Sequence, residues 1–337
     1  MRIDYTDCVR DAPKTEPGTL PEKYISAHFS DNSTLNPYQA QWQVLKRNVT
    51  YHNYSLEQNV CQIRFNIPEN LQPTVNFYYY LENFYQNHRR YVGSFNAKQL
   101  LGDPVDASTL SSTCDPLARD PNRGDKIVYP CGIIANSMFN DTFSSPTLLT
   151  VPTTDGPPQN ERLYSMANNT GIAWSGLGDL YGKTRYNLSQ IVPPPNWNQS
   201  YMFGYTDVSP PPDLHTWEAF QNWMMLAASP NFYKLYQRND RDVMDAGTYR
   251  IDIVSNFDTN LYNGRKSFVI TTVSTMGSRN IWPGIIFLIV GGICLILDVY
   301  FILSFFLWKP RKLGDPSYLS WNQPQAPAPA GHAASAS

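Results

Sequence analysis

Residue types that carry catalysis or bind metals are few in this chain and lie far apart. HExxH, GxSxG and P-loop patterns do not occur, and the paired acids Asp240 and Asp242 lie in a charged run typical of a solvated loop. None of the five histidines has a recognisable catalytic or metal-binding partner at a typical spacing: His28, His52, His88, His215 and His332. We therefore predict that the chain is not an enzyme and has no catalytic, cofactor-binding or metal-binding residues.

The most distinctive polar segment is NFYQNHRRY, residues 83–91, in which Arg89 and Arg90 stand among aromatic residues. Guanidinium groups in such surroundings bind phosphates or lipid headgroups, so we mark both arginines as a candidate partner interface. The alternative, which we favour, is that they hold neighbouring loops through hydrogen bonds to carbonyl and carboxylate oxygens.

Cysteine and asparagine patterns are typical of an extracytoplasmic domain. Of the five cysteines, Cys294 lies in an apolar run, and the other four have no CxxC or metal-like spacing, which favours two disulfides. Spacing alone does not choose among the three possible pairings of Cys8, Cys61, Cys114 and Cys131. Seven Asn-x-Ser/Thr sequons are candidate glycosylation sites: Asn32, Asn48, Asn53, Asn140, Asn168, Asn187 and Asn198.

An apolar run at residues 281–308 predicts a transmembrane helix. At about 1.5 Å per helical residue it spans roughly 40 Å, more than a hydrocarbon core of about 30 Å. Tryptophans flank the run and basic residues follow it: Trp282, Trp308, Lys309, Arg311 and Lys312. The positive-inside rule therefore places the C-terminal side in the cytosol and residues 1–280 on the exoplasmic side. The alternative is a tail-anchored protein whose cytosolic domain makes no use of its sequons and cysteines, and the basic residues argue against it.

Asp298 lies near the middle of this apolar run. A carboxylate there costs about 2.5–3.5 kcal/mol on insertion, which the many apolar residues around it outweigh. Acids within membranes usually face protein or water, and Gly291 and Gly292 allow another helix to approach closely. We mark these three residues as a second candidate partner interface. The alternatives for Asp298 are a protonated acid that reaches the interface or an isolated substitution.

Composition and residue pattern indicate a β-rich domain before the span. A net charge of −2 gives no reason to expect a nucleic-acid partner, and 22 Tyr with 27 Pro and few charges favour an exoplasmic β-rich domain. We predict a glycosylated β-rich domain at 1–280, the transmembrane helix at 281–308, and a cytosolic, largely disordered tail at 309–337.

Several local elements can be predicted from periodicity. Residues 60–67 alternate with one apolar face, and residues 75–81 are aromatic on both faces, as in a strand interior to a sheet. Segment 102–130 is rich in Gly, Pro, Asp and Ser and predicts a loop. A helix is predicted to start at Trp217 with Thr216 as its N-cap.

Two further strands are predicted near the end of the domain. Residues 249–253 alternate, and residues 268–273 form the returning strand after an Asn263-Gly264 turn.

Long motifs along nearly the whole chain, from residue 5 to 322, resemble one protein family. Besides NFYQNHRRY they are YTDC at 5–8, QL at 99–100, YPCGIIANSMFNDT at 129–142, GIAW at 171–174, PPNW at 194–197, GTY at 247–249, VGGI at 290–293 and KPRKLGD at 309–315. On these residues the chain resembles the cell division control protein 50 family, also called ligand-effect modulators. Members of this family are the accessory β subunits of type IV P-type ATPases, the phospholipid flippases.

The resemblance implies a mainly β fold, an exoplasmic, jelly-roll-like antiparallel β-sandwich with a short helix and long loops between two membrane helices. It pairs Cys8 with Cys61 and Cys114 with Cys131, and it makes Asn140 the best-supported glycan site. It implies no cofactor and a heterodimer with a catalytic ATPase in membrane lipid, in the endoplasmic reticulum, Golgi, endosome or plasma membrane. The implied role is non-catalytic, in the folding of that ATPase, its exit from the endoplasmic reticulum and lipid flipping.

The sequence departs from the family pattern in four places, one of which is that GGKN before the last span reads GSRN at 277–280. The family has a first membrane helix directly before the YTDC stretch, so we expect an upstream cytosolic tail and a membrane helix before Met1. Two arginines of the pattern WMRTAALPTFRKLY are Met225 and Tyr233 in this chain, and Asp298 is atypical. The alternative function is a membrane-anchored adhesion or receptor glycoprotein that acts through its ectodomain. An anchored hydrolase, the third reading, requires an acid/base pair that we do not find.

Overall fold

The computed structural model describes residues 1–29, 35–150, 161–273 and 282–307. The chain divides into two compact units, Met1–Ser278 and Arg279–Ser337. Among the described residues the strands are β1 Arg2–Asp4, β2 Gly18–Thr19, β3 Ile25–Ser26, β4 Gln41–Tyr51, β5 Tyr54–Ile67, β6 Val75–Glu82, β7 Arg119–Asp120, β8 Lys126–Val128, β9 Thr142–Phe143, β10 Thr147–Thr150, β11 Arg162–Leu163, β12 Ile191–Val192, β13 Phe232–Asn239, β14 Gly247–Val254 and β15 Arg265–Thr272.

Helices are few, and most are a single turn. The α-helices of the described ranges are α1 Cys8–Asp11, α2 Arg89–Val92, α3 Ala97–Leu100, α4 Ala107–Cys114, α5 Ile133–Asn136, α6 Glu218–Met224 and α7 Trp282–Leu307. Short 3-10 turns occur at Glu22–Tyr24, Pro121–Arg123, Leu177–Leu180, Leu188–Gln190, Pro195–Trp197 and Asn260–Tyr262. The fold is therefore mainly β, as predicted.

The first sheet has five strands in the order β13-β6-β15-β1-β3, all paired antiparallel. β6 lies between β13 and β15, which confirms the prediction that this aromatic strand is interior to a sheet. On one face Tyr80 stacks on its cross-strand partner Tyr233, with ring centroids 4.3 Å apart. On the other face Phe77 is fully buried. Aromatic residues thus stabilise β6 from both sides.

The second sheet follows the order β11-β10-β14-β5-β4-β2, with β9 also paired to β14, and it too is antiparallel. β4 and β5 form a long hairpin with His52 and Asn53 as its turn, and His52 has a φ of 46°. The apolar face predicted for residues 60–67 is confirmed, because all four of its members are fully buried: Cys61, Ile63, Phe65 and Ile67.

The two sheets pack face to face around an aromatic core, which confirms the predicted sandwich. Phe65 of β5 lies 5.6 Å from Phe268 of β15, and Phe268 stacks on Phe77 at 5.5 Å between ring centroids. Each fully buried Phe contributes about 1.5–3 kcal/mol relative to an exposed one. Contacts of this kind between the sheets therefore fix their relative position.

A second core lies beside the sandwich, under a small sheet in which β8 pairs parallel with β12 and antiparallel with β7. Its buried members include Tyr129, Trp197 and Phe220. Two indole N–H groups connect the cores through α5: Trp197 Nε1 donates to the Ala135 carbonyl at 2.9 Å, and Trp223 Nε1 donates to that of Ile134 at 2.8 Å.

The prediction that the last two strands of the domain pair as a hairpin is wrong. β14 pairs in the second sheet and β15 in the first, so the chain changes sheets between them. The connecting segment is fixed by packing, because Phe257 and Tyr262 both contact the ring of Phe84, at 6.0 and 5.2 Å between centroids. The Asn263-Gly264 turn is present, with Asn263 at a φ of 51°.

Two smaller predictions also fail. Segment 102–130 is not a continuous loop, since it contains α4, β7 and β8. Thr216 does not cap α6: the N-cap is Trp217 without a side-chain hydrogen bond, and Thr216 Oγ1 donates to the Asp213 carbonyl at 3.3 Å instead. The predicted helix does pack an apolar face inward, with Phe220 and Trp223 fully buried.

The second unit contains α7, which has 26 residues. An 18-residue stretch of this helix has a mean hydropathy of 2.7. It is long and apolar enough to cross a membrane, in agreement with the prediction for 281–308. The end residues Ile281 and Trp308 lie outside the described residues, as do Lys309, Arg311, Lys312 and the tail.

Candidate partner-binding and modification sites

The amides of the NFYQNHRRY segment hold the loops around it. Asn83 Nδ2 donates to the Tyr262 carbonyl at 2.7 Å, and Asn87 Nδ2 donates to that of Ala228 at 2.9 Å. Gln86 is fully buried, and its Oε1 accepts from the Ala227 N–H at 2.9 Å. These side chains perform the loop-holding role that we expected of the arginines.

Arg89 and Arg90 are exposed on α2, and neither guanidinium donates a hydrogen bond to another residue of the described ranges. Within the described ranges nothing supports the favoured interpretation, in which they hold neighbouring loops. The same continuous segment exposes three apolar side chains, at 56% for Tyr85, 43% for Val92 and 37% for Phe95. We call these five residues the α2 surface. It combines apolar area with two cations that have no partner among the described residues, a composition found in protein interfaces.

The candidate interface on α7 consists of two glycines and an acid. A Cβ built on Gly291 or Gly292 would meet no atom within 4 Å apart from the helix's own backbone. Asp298 is exposed and makes no hydrogen bond or ion pair within the described part of the chain. Asp298 lies seven positions after Gly291, so the two lie within about 20° of each other around the helix. Gly292 lies off this line.

The structure contains both disulfides that the resemblance implies. Cys8 in α1 is bonded to Cys61 in β5, with Cα atoms 6.1 Å apart, and Cys114 at the end of α4 is bonded to Cys131, with Cα atoms 5.7 Å apart. All four residues are buried. The first bond connects the segment after β1 of the first sheet to the second sheet, and the second closes the loop beside the small sheet. Cys294 is unpaired and exposed on α7.

Five of the seven sequon asparagines are exposed: Asn48, Asn53, Asn168, Asn187 and Asn198. Asn53 occupies the hairpin turn, and Asn187 accepts from Ser189, the hydroxyl residue of its own sequon, at 3.0 Å. Asn140 differs, because it is half-buried. Asn32 lies outside the described residues.

A buried ion pair adjoins Asn140. Asp141 and Lys266 have side chains that are 0% and 4% exposed, and Lys266 Nζ donates to Asp141 Oδ2 at 2.8 Å. Asp141 Oδ1 accepts from the N–H groups of Asn256 and Phe257, at 2.5 and 2.6 Å, and Oδ2 also accepts from the Tyr5 hydroxyl at 2.9 Å. Burial, together with the charge of Asp141, holds the pKa of Tyr5 well above its usual value. The carboxylate is thus fully satisfied and the Asn140–Thr142 segment is held in place.

A second buried lysine, Lys234 of β13, contacts the C-terminal end of α6. Its Nζ donates to the carbonyls of Asn222, at 2.8 Å, and Met225. Burial lowers the pKa of Lys234 to about 8. Sequence reasoning missed both lysines, although a signal existed: each stands two residues from a buried aromatic of its own strand, Phe232 or Phe268, and so shares its face.

Within the described ranges, no group of three or more His, Cys, Asp or Glu residues is arranged to hold a metal ion. His215 Nδ1 lies 2.9 Å from the Gly178 carbonyl rather than beside an acid or a nucleophile. The buried carboxylate and amines described above have structural partners.

Comparison with known proteins gives a consistent result. The sequence model of the LEM3 (ligand-effect modulator 3) family / CDC50 family matches residues 1–312. The phospholipid-transporting ATPase accessory subunit CDC50 of Chaetomium thermophilum is 65% identical over 97% of this chain and 80% of its own length. The accessory subunits CRF1 and LEM3 of Saccharomyces cerevisiae are 40% and 38% identical, over 96% of this chain and 77% and 75% of their own lengths. The chain belongs to the LEM3/CDC50 family.

Proposed function

We propose that this chain is the non-catalytic accessory subunit of a phospholipid-transporting type IV P-type ATPase. It forms a heterodimer with the catalytic subunit in membrane lipid, and it supports the folding of that subunit, its exit from the endoplasmic reticulum and lipid flipping. ATP hydrolysis and lipid movement belong to the partner. The observation that carries this proposal is the family match over residues 1–312, since all three relatives above are named accessory subunits.

The large domain lies on the exoplasmic side in this proposal, in the endoplasmic reticulum, Golgi, endosome or plasma membrane. Two buried disulfides support this placement, because such bonds persist in oxidising compartments. Exposed sequon asparagines and the basic residues that follow the span in sequence support it as well. A cytosolic domain would leave all of these features without a role.

A non-catalytic role is supported by how the polar groups of the domain are used. Asp141 and Lys266 are buried and fully hydrogen-bonded to each other and to the backbone. An acid, base or nucleophile must instead reach a substrate in an accessible cleft. These groups therefore stabilise the domain and leave the chemistry to the partner.

Two surfaces are the proposed contacts with the ATPase. The α2 surface presents Arg89 and Arg90, whose guanidinium groups suit carboxylates of a partner protein. The line of Gly291 and Asp298 on α7 suits a close transmembrane helix that carries a hydrogen-bond donor.

Co-purification tests the proposal. The full chain, tagged and extracted in mild detergent, should bring down a large multi-span ATPase. The double variant Arg89→Glu/Arg90→Glu should lower this recovery about tenfold, the effect of losing roughly 1.4 kcal/mol of binding. The matched control is Lys126→Glu/Arg241→Glu, which reverses two other exposed cations and should leave recovery unchanged.

Recovery of the chain without an ATPase would overturn the proposed function. If the full chain instead captured a ligand through its ectodomain in the absence of any ATPase, the adhesion or receptor alternative would replace the proposed function. Equal recovery with both double variants would remove the α2 surface from the interface while leaving the function intact.

A further inference from the structure

A polar pocket of about 340 Å³ lies on the first sheet, over the adjacent strands β6, β15, β1 and β3. Its volume falls in the range of about 300–1,000 Å³ that is typical of binding sites for small molecules. We call it the Tyr24 pocket and define it by Arg2, Asp4, Lys23, Tyr24, Glu82 and Arg265. The lining joins residues from both ends of the domain sequence, so the folded sheet builds this site.

Five charged side chains meet in the Tyr24 pocket, three cations and two carboxylates. Arg2 NH1 donates to Glu82 Oε1 at 3.3 Å, and Arg265 Nε donates to Asp4 Oδ2 at 2.5 Å. Lys23 is exposed and has no ion-pair partner among the described residues; its Nζ lies over an aromatic ring instead. The pocket therefore contains one cation that no carboxylate neutralises.

Tyr24 brings two of the cations together. Its hydroxyl donates to Asp7 Oδ2 at 3.0 Å, and the residue is only 8% exposed, so the ring is held in place. Lys23 Nζ lies 4.7 Å from the centroid of this ring, and Arg265 Cζ lies 5.5 Å from it. Both distances are within the range of cation–π attraction, about 6 Å. An anion in the pocket therefore meets an ammonium and a guanidinium at one ring.

The pocket also offers an acceptor for a cation. Glu82 Oε1 accepts from Arg2, whereas Glu82 Oε2 accepts no hydrogen bond within the described part of the chain. Arg265 is directly opposite Glu82 in the register of β15 and β6, and the Cβ atoms of such pairs are about 4.5–5.5 Å apart. The unpaired ammonium of Lys23 and the free carboxylate oxygen of Glu82 are thus both close to Arg265.

We propose that the Tyr24 pocket binds the zwitterionic headgroup of a phospholipid, in which a phosphate diester is joined to a primary ammonium. The phosphate meets Lys23 and Arg265, because ammonium and guanidinium groups are strong partners of phosphate oxygens. The ammonium donates to Glu82 Oε2. A soluble phosphodiester with the same two charges shares this chemistry. The choice of a membrane lipid as its source rests on the proposed function, in which the partner moves phospholipids.

Calorimetric titration of the full chain in an uncharged detergent tests the proposal with three soluble probes. Glycerophosphoethanolamine carries both charges, glycerophosphoglycerol lacks the ammonium, and ethanolamine lacks the phosphate. Glycerophosphoethanolamine should bind at least about tenfold more tightly than either of the others, as expected when one hydrogen bond between charged groups is lost.

Variants of the pocket assign the binding to its two free groups. Lys23→Gln removes the unpaired cation and should weaken glycerophosphoethanolamine binding about tenfold. Glu82→Gln keeps an amide oxygen for Arg2 but removes the negative charge, so the preference over glycerophosphoglycerol should disappear. Lys126→Gln and Glu57→Gln are the matched controls, because they remove exposed charges outside the pocket, and they should leave binding unchanged. Lys23 forms no ion pair, so its variant keeps the test decisive even if Glu82→Gln disturbs the sheet.

Nanodiscs distinguish a membrane lipid from a soluble ligand. In discs of phosphatidylglycerol, whose headgroup lacks an ammonium, glycerophosphoethanolamine should bind as it does in detergent. In discs that also contain phosphatidylethanolamine, the lipid headgroup should compete and weaken the apparent binding several-fold. Equal binding in the two kinds of disc would retain the site but assign it to a soluble phosphodiester.

Equal binding of glycerophosphoethanolamine and glycerophosphoglycerol to the unaltered chain would overturn the proposal, as would an unchanged affinity in Lys23→Gln. It would also fail if the pocket variants lowered recovery of the ATPase but left headgroup binding intact, because a partner protein would then occupy the pocket. Co-purification of an ATPase without headgroup binding would leave the proposed function standing without this site. Headgroup binding without any ATPase would retain the site and remove the function.

Discussion

At the residue scale, the interior of this domain is unusual because it contains two lysines whose buried amines have different kinds of hydrogen-bond partner. Lys266 has a carboxylate partner in Asp141, whereas Lys234 has only carbonyl oxygens. Burying a charge is tolerated when partners replace the lost hydration. The difference predicts different consequences for the two residues.

Removing the partner of Asp141 should be strongly destabilising. Lys266→Met leaves a buried carboxylate without its cation, and we expect a loss of about 3–5 kcal/mol in the free energy of unfolding. Urea unfolding of the full chain in detergent, followed by tryptophan fluorescence, measures it. The control is Lys46→Met, which breaks the exposed pair with Glu57 and should change the free energy of unfolding far less, because solvent screens exposed pairs. If Lys266→Met destabilised the chain no more than Lys46→Met does, the buried pair would not be a stabilising feature.

At the element scale, Lys234 couples β13 to the end of α6. The helix stops at Met224, six residues before Pro230, and Lys234 Nζ occupies the carbonyl groups at its C-terminal end. Met225 and Tyr233, which replace the two arginines of the family pattern, lie on either side of this contact. Tyr233 instead stacks on Tyr80 at 4.3 Å between ring centroids.

The lowered pKa of Lys234 predicts a pH dependence of stability. In the unfolded chain the amine titrates near 10.5, and in the folded chain near 8. Below about pH 8 both states carry the proton, and the folded state bears the cost of a buried charge. Between about pH 8 and 10.5 the unfolded state binds more protons, so this residue makes stability rise with pH, by about 2 kcal/mol from pH 8 to 10.

The measurement is the difference in unfolding free energy between the wild-type chain and Lys234→Met, taken at pH 8 and pH 10. The comparison cancels the titration of other groups, including the buried tyrosines. Stability of the wild-type chain should rise relative to the variant. A difference that stays constant, or that falls with pH, would contradict a lowered pKa.

The sequence predicts elements well where a single local pattern decides the structure. Alternation in residues 60–67 and the aromatic run at 75–81 each match a strand, because burial on one or both faces follows directly from residue order. The connection between β14 and β15 could not be predicted in this way. A turn signal identifies the turn but not the sheet that receives the next strand, and here contacts of Phe84 with Phe257 and Tyr262 decide it.

At the scale of the whole molecule, the candidate sites were predictable only in part. Arg89 and Arg90 could be selected from their residue types, but their exposure depends on amides elsewhere in the segment that occupy the loops. A cavity lined by Asn140 combines the hairpin turn, the 196–201 segment and α6. No local pattern contains such a combination, since the contacts join residues far apart in sequence. The sequon identified the asparagine but not the cavity beside it.

The role of α7 also belongs to this scale, because a membrane helix can anchor the chain, bind a partner, or do both. Asp298→Leu separates these roles. The substitution removes an insertion cost of about 2.5–3.5 kcal/mol, so anchoring should improve. If Asp298 meets a donor on the ATPase, recovery of the ATPase should nevertheless fall by about tenfold, as for the loss of one hydrogen bond to a charged group. Co-purification from detergent measures recovery, and extraction with alkaline carbonate measures anchoring.

Gly291→Leu provides a second test of the same line on α7, because a large side chain there prevents close helix packing and should also lower recovery. Ser304→Leu is the matched control. Like Asp298, Ser304 is a polar residue of α7, but it lies about a third of a turn away around the helix, so its replacement should not lower recovery. Firm anchoring with reduced recovery, confined to Asp298 and Gly291, assigns that line to the partner. Unchanged recovery in both variants would leave α7 as an anchor alone and would place the contacts of the heterodimer on the exoplasmic domain.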